Sequence, residues 1–194
     1  MMKKRVAILI SGRGSNMRAL IEAASAPDYP AQIVLVLSNV ADAGGLAFAK
    51  ERGIATEVVE HKNYASREAF DRAMDEKLAA AKAELVALAG FMRLLSTDFV
   101  EQWRGRMINI HPSLLPAYKG LHTHRRAIEA GEAFAGCTVH FVTPELDDGP
   151  AILQAKVPVL PGDTEEALAA RVLAEEHRIY PEALRLVAEG KATL

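Results

Sequence analysis

The segment "MINIHPSLLP", Met107 to Pro116, sets an amide and an imidazole two residues apart inside an apolar run. Side chains alternate along a strand, so Asn109 and His111 share one face while Ile108 and Ile110 share the other. Pro112 has no N–H for a ladder and biases His111 toward extended backbone. The polar pair therefore stands at the carboxyl end of a strand, the edge where parallel α/β sheets bind ligands. There an Asn amide can donate to an oxyanion as charge develops. A His beside it can donate too, or move a proton. The same two residues could equally be a buried polar pair that pins the loop after them. The segment "ELDDGP" (residues 145–150) offers a partner, because Asp147 and Asp148 precede a Gly-Pro turn. One of them facing His111 would complete an acid–base set, although two aspartates in a turn need no such partner.

A second constellation is "SGRGSN", Ser11 to Asn16, between an apolar run and an amphipathic one. Glycines let the backbone approach an anion, and a helix N-terminus offers free N–H groups. The segment is not the dinucleotide fingerprint, since Met17 stands where a third glycine would, and no Gly-Lys-Ser/Thr follows for a P-loop. An anion site and a tight turn that simply requires glycine both fit. In "AGFMRLLS" (89–96), Arg93 is left among apolar residues at a strand end. Glu176 lies three or four residues from Val172, Ile179 and Tyr180, on an apolar helical stripe. A carboxylate there wants a partner or ligand, unless it sits at the stripe edge with its head in water. His122 and His124 precede a short helix, but no Cys cluster or His-Glu-x-x-His accompanies them, so no metal is expected. His61 reads as a surface residue.

The elements that must carry these groups alternate. Strand-like runs fall at 5–10, 33–38, 55–60, 84–90 and 106–111, with helical patterns between them. Apolar runs joined through helices imply a parallel sheet with right-handed crossovers. After Gly120 the rhythm changes. "CTVHFVT" (137–143) and "AILQAKVPV" (151–159) read as an edge hairpin, and a long helix follows from about Asp163. Pro181 is expected to kink or divide that helix. The reading is one α/β domain over 1–194, its halves (about 1–103 and about 104–194) sharing one sheet.

The 194 residues are half apolar, enough for one substantial core, and carry a net charge of −2 with interspersed signs. No basic block suggests nucleic acid. The run "VAILI" is too short for a signal-peptide core or a membrane span. Cys137 is the single cysteine, which fits a reducing, cytoplasmic setting.

The motifs "LISGRGSN", "LAGFMRLLS", "NIHPSLLPAYKGLHTHRRAIEAG", "TVHFVTPELDDGP" and "ILQAKVPV" run in order along essentially the whole chain. Together they closely resemble the phosphoribosylglycinamide formyltransferases that use 10-formyltetrahydrofolate. The resemblance implies a Rossmann-like, mostly parallel twisted sheet flanked by helices, with an antiparallel strand pair toward the C-terminal half. It implies transfer of a formyl group from 10-formyltetrahydrofolate, a co-substrate, to glycinamide ribonucleotide in purine biosynthesis, without a metal. Asn109, His111 and Asp147 match the family's catalytic trio, the Leu-Asp-x-Gly-Pro pattern favouring Asp147 over Asp148. Gly14, Ser15, Asn16 and Glu176 match the ribonucleotide site. Arg67, Met92, Arg93, Leu94, Leu95, Asn109, His140 and Val142 match the folate side, where Leu88, Phe91 and Met107 would join Leu94 and Val142 in an apolar pocket. The Leu115-Pro116 bond matches a position where a cis bond is possible. The chain departs from the pattern at Leu173, where some relatives carry a polar residue, and Arg13 falls at a variable position.

Related superfamily members, a formyltetrahydrofolate hydrolase and a methionyl-tRNA formyltransferase, would each be expected to carry a further domain, for which the chain leaves no room. A non-catalytic nucleotide-binding module would account for "SGRGSN" but not for Asn109, His111 and Asp147 together. The expected partners are the two small molecules, with no nucleic acid and no membrane, in a monomer or homodimer.

Overall fold

The computed structural model describes residues 2–194. The chain runs β1 (Lys4–Ile10), α1 (Ser15–Ala24), β2 (Ala31–Ser38), α2 (Gly45–Glu51), β3 (Thr56–Val58) and a 3-10 turn at His61–Asn63. It continues as α3 (Arg67–Ala80), β4 (Leu85–Leu88), α4 (Thr97–Gln102), β5 (Met107–His111), α5 (Thr123–Glu129), β6 (Phe134–Phe141), β7 (Ala151–Pro158) and α6 (Glu165–Ala188). The seven strands form one sheet in the order β3-β2-β1-β4-β5-β6-β7. Pairing is parallel from β3 to β5 and antiparallel from β5 through β7. Strand order reverses between β1 and β4, so the loops leaving their carboxyl ends flank the crevice where such sheets bind ligands.

Alternation divides the apolar residues between two layers. Val6, Ile8, Ile10, Ile108 and Ile110 face α1, α2, α5 and α6 in one cluster with Met17, Leu20, Leu46 and Tyr180. Ala7, Leu9, Val86, Leu88 and Met107 face α3 and α4 in the other, against Phe70, Met74, Leu78, Phe99 and Trp103. The helices covering the second layer start on hydroxyl caps. Ser66 accepts from Ala69 N and Ser96 from Phe99 N, each filling one of the bonding vacancies at a helix N-terminus. Buried Asp71 of α3 accepts the Ser96 N–H at 2.7 Å and so fixes where the segment after β4 joins α4.

Two sequence expectations are revised. The strand expected at 137–143 begins earlier, at Phe134, and ends at Phe141. Pro181 does not divide the last helix, which runs unbroken from Glu165 to Ala188. Packing of Val172, Ile179, Tyr180, Ala183 and Leu184 into the core holds the helix across the missing N–H, and Tyr29 Oη donates to the Pro181 carbonyl at 2.7 Å. Tyr180 has no solvent exposure, and its hydroxyl donates to the carbonyls of Leu88 (2.7 Å) and Ile108 (3.3 Å). It thereby ties α6 to the ends of β4 and β5, immediately before Asn109.

Candidate active site

The alternation read along residues 107–111 is present. Asn109 and His111 leave β5 on the face opposite Ile108 and Ile110, and their strand partners are His140 and Thr138 of β6. His111 is 6% exposed. Its Nδ1 lies 3.5 Å from Asp147 Oδ2, and its Nε2 is 2.9 Å from the Tyr118 carbonyl. Acceptors face both ring nitrogens, and only the imidazolium carries N–H on both. Asp147 is thus the aspartate that reaches the histidine. Its neighbour Asp148 turns outward and pairs with Lys119. Asp147 Oδ2 also accepts the Gly120 N–H at 2.9 Å.

Asn109 has a different support. Its Nδ2 lies 3.4 Å from His140 Nε2, while His140 Nδ1 faces the Phe141 carbonyl at 2.9 Å. A carbonyl only accepts, so Nδ1 carries the proton and Nε2 is left to accept from the amide. Burial lowers the His140 pKa, outweighing the Phe141 carbonyl and Asp147, and favours this neutral ring. One amide hydrogen of Asn109 is spent on His140, and the second is available.

The connecting loops are fitted to this corner. Thr138 Oγ1 donates to the Ser113 carbonyl at 2.7 Å and accepts from Leu115 N at 3.1 Å. Thr123 Oγ1 donates to the Pro112 carbonyl at 2.7 Å. The Leu115-Pro116 bond is cis. Gly149, from the Gly-Pro turn, lies so close to β6 that an added Cβ would sit 1.7 Å from the Phe141 carbonyl oxygen. The glycine of "DDGP" is therefore required by a close approach.

On the β1 side, Gly14 adopts the left-handed conformation (φ 71°, ψ 41°) as N-cap of α1. Gly45 N–H donates to the Gly12 carbonyl at 3.1 Å, fastening the loop to the start of α2. Asn16 Nδ2 lies 3.5 Å from Glu176 Oε2, and Asn16 Oδ1 is buried without a hydrogen-bond partner. Glu176 is 7% exposed, so the buried reading of its stripe position holds. Burial raises its pKa, opposed by the Asn16 amide. The loop, Ser15, Asn16 and Glu176 thus converge from α1 and α6 and leave polar capacity unused.

On the β4 side, Met92 and Leu94 are 70% and 56% exposed. Phe91, Leu95 and Val142 pack against the cluster containing Leu88 and Met107, whereas Leu94 does not join it. Arg93 and Arg67, the latter at the start of α3, are exposed and form no ion pair among the described residues. Val142 N–H donates to the Met107 carbonyl at 2.9 Å.

Three contacts were missed in the sequence. Ser11 Oγ donates to Asn39 Oδ1 at 2.6 Å and accepts the Met92 N–H at 2.8 Å, joining the β1 loop to the β4 loop. His61 is not a lone surface residue, because its Nδ1 meets Asn39 Nδ2 at 3.2 Å. Asn39 directly follows a strand, a position that could have signalled a role at the ligand edge. Cys137 lies buried within β6 with its thiol pushed up to about 12 by burial, which makes it a poor nucleophile. Among the described residues, no group of three or more His, Cys, Asp or Glu is placed to hold a metal, and no helix is long and apolar enough to cross a membrane.

Residues 4–184 match the formyl transferase family model. Phosphoribosylglycinamide formyltransferase of Escherichia coli (strain K12) is 50% identical over 96% of this chain and 88% of its own length. The trifunctional purine biosynthetic protein adenosine-3 of Bos taurus is 52% identical over 99% of this chain, but the chain spans only 19% of that protein. Other trifunctional relatives are likewise matched over 14–19% of their length. The crystal structure of phosphoribosylglycinamide formyltransferase from Brucella melitensis superposes with a TM-score of 0.92 at 57% identity, covering 96% of both chains. That of glycinamide ribonucleotide transformylase 1 from Symbiobacterium toebii gives 0.94 at 50% identity, covering 97% of this chain and 89% of that one. The chain belongs to the formyl transferase family, among its phosphoribosylglycinamide formyltransferases.

Proposed function

We propose that this chain transfers the formyl group of 10-formyltetrahydrofolate to the glycinamide amine of 5-phosphoribosylglycinamide, in purine biosynthesis. The carrying observation is the meeting of Asn109, His111 and Asp147 at the sheet's carboxyl edge, between a glycine-built loop after β1 and a partly open apolar segment after β4. The whole chain acts as a single formyltransferase domain, working in a cytoplasmic setting.

In this reading Gly14, Ser15 and Asn16 receive the phosphoribosyl end of the substrate, with free amides of the α1 N-terminus toward the phosphate. The unpartnered Asn16 Oδ1 and the buried Glu176 carboxylate accept from ribose hydroxyls. The folate lies against Met92, Arg93, Leu94, Leu95, His140 and Val142, with Arg67 toward its acidic tail. The two substrates then meet at β5, and positioning supplies a large part of the acceleration.

The amine attacks the formyl carbon and a tetrahedral oxyanion forms. The second amide hydrogen of Asn109 donates to it. Protonated His111 lies beside it, and its Nε2–H turns from the Tyr118 carbonyl to the oxyanion. Asp147 favours the imidazolium by charge proximity. A proton passes from the attacking nitrogen to N10, directly or through a water, the C–N10 bond breaks, and the oxyanion collapses to the formamide. No covalent enzyme intermediate forms. Incubating the chain with both substrates should yield formylated ribonucleotide and tetrahydrofolate. Formyl release at the same rate without the ribonucleotide would point to a hydrolase instead.

A further inference from the structure

We propose that Lys119 and Asp148 are a positioning pair, whose ion pair ties the 117–122 loop to the 145–150 link and so holds Asp147 against His111. The proposal rests on the reading that Asn109, His111 and Asp147 act in formyl transfer. The two segments meet at successive residues on each side. Asp147 Oδ2 takes the Gly120 N–H at 2.9 Å, and the adjacent Asp148 Oδ1 takes the Lys119 ammonium. Sequence neighbours are thus split between inside and outside, the Asp147 side chain being 8% exposed and that of Asp148 52%.

Asp147 needs such a hold. Its distance to His111 Nδ1, 3.5 Å, is beyond a well-formed hydrogen bond. Its backbone is left-handed (φ 50°), as are those of Tyr118 (55°), Gly120 (80°) and His122 (57°). For the non-glycine residues this conformation is costly and persists only where surrounding contacts impose it. The 117–122 loop is in turn anchored from α5, where Arg126 Nη1 donates to the carbonyls of Lys119 (2.7 Å) and Leu121 (3.1 Å). Lys119 and Asp148 extend that anchor to the link. An exposed ion pair contributes little to global stability. Here it acts on a local arrangement, the separation of two charged groups that both belong to the site.

The test compares Lys119→Ala, Asp148→Ala, the double variant and the exchanged pair Lys119→Asp with Asp148→Lys. Each single variant should lower kcat about two- to fivefold, with the KM for the ribonucleotide unchanged. The double variant should match the singles, and the exchange should recover most of the loss. Amide exchange at Gly120, whose N–H rests on Asp147, should be faster in both singles and slow again in the exchanged pair. Unchanged kcat and Gly120 exchange in both singles would overturn the proposal, as would an exchanged pair that behaves as the sum of its singles. If the unaltered chain transferred no formyl group, the functional reading would fail while Gly120 exchange still decided the pair's role.

Discussion

The two sides of the β5 strand end are built differently. Toward β1, the site is mostly backbone: Gly14 in a left-handed turn, fixed to α2 through Gly12 and Gly45, with half-buried Asn16 and buried Glu176 behind it. Toward the 117–122 loop and the 145–150 link, it is mostly side chain to loop: Asp147 on Gly120 N–H, His111 on the Tyr118 carbonyl, Lys119 on Asp148. The first arrangement suits an invariant group such as phosphate, which needs donors at fixed points. The second depends on contacts between two segments far apart in sequence, each holding the other in place. Asn109 stands between them, oriented by a histidine that is itself fixed by a backbone carbonyl.

The largest expected effect tests the shared centre. Asn109→Ala and His111→Ala should each lower kcat on the order of 100-fold or more, the usual loss for one oxyanion donor. Near-normal turnover by either folded variant would remove that residue from the account. Next comes the frame under both sides. Tyr180→Phe leaves the Leu88 and Ile108 carbonyls without their buried donor, and denaturant unfolding should show a loss of about 1–3 kcal/mol. No loss would mean that these carbonyls are satisfied otherwise.

Gly14→Ala sharpens the claim for a backbone-built side. The new Cβ would lie 3.0 Å from Met17 Cε and 3.3 Å from Gly45 Cα, in a left-handed backbone. The expected cost is about 1–2 kcal/mol, with a raised KM for the ribonucleotide and a folate KM left alone. Equal rises in both KM values would break the distinction between the sides. The smallest effect is one of pH. Because burial lowers the His140 pKa in the fold, the folded chain binds fewer protons there than the unfolded one. Its contribution to stability is present above the unfolded value of about 6.5 and is lost as pH falls through the lower folded value. Protonation also removes the acceptor for Asn109, so kcat should fall over the same acidic range. An NMR titration placing His140 at or above the ordinary histidine value would contradict this.

What could be read from the sequence follows the same division. The strand rhythm, the edge hairpin and the facing of Asn109 and His111 depend on local periodicity, and all appear in the fold. The glycine turn was legible because only its backbone matters. Contacts between loops distant in sequence were not. Nothing in spacing indicates that Asp147 faces inward and Asp148 outward, or that Ser11 bridges Asn39 and Met92. Pro181 does not divide the helix because a local rule about a missing N–H is outweighed by the buried face of a 24-residue helix. His61 misled because its partner, Asn39, lies at the end of a different strand.

The central claim is that the Asp147–His111 pair serves formyl transfer to the ribonucleotide amine. The most direct measurement follows a labelled formyl group from 10-formyltetrahydrofolate in the presence of glycinamide ribonucleotide, with the unaltered chain and with Asp147→Asn. The account predicts label on the ribonucleotide for the unaltered chain and a rate lower by about 100-fold for the variant, whose amide cannot favour the imidazolium by charge. Label released as formate irrespective of the ribonucleotide, or an Asp147→Asn rate equal to that of the unaltered chain, would contradict it.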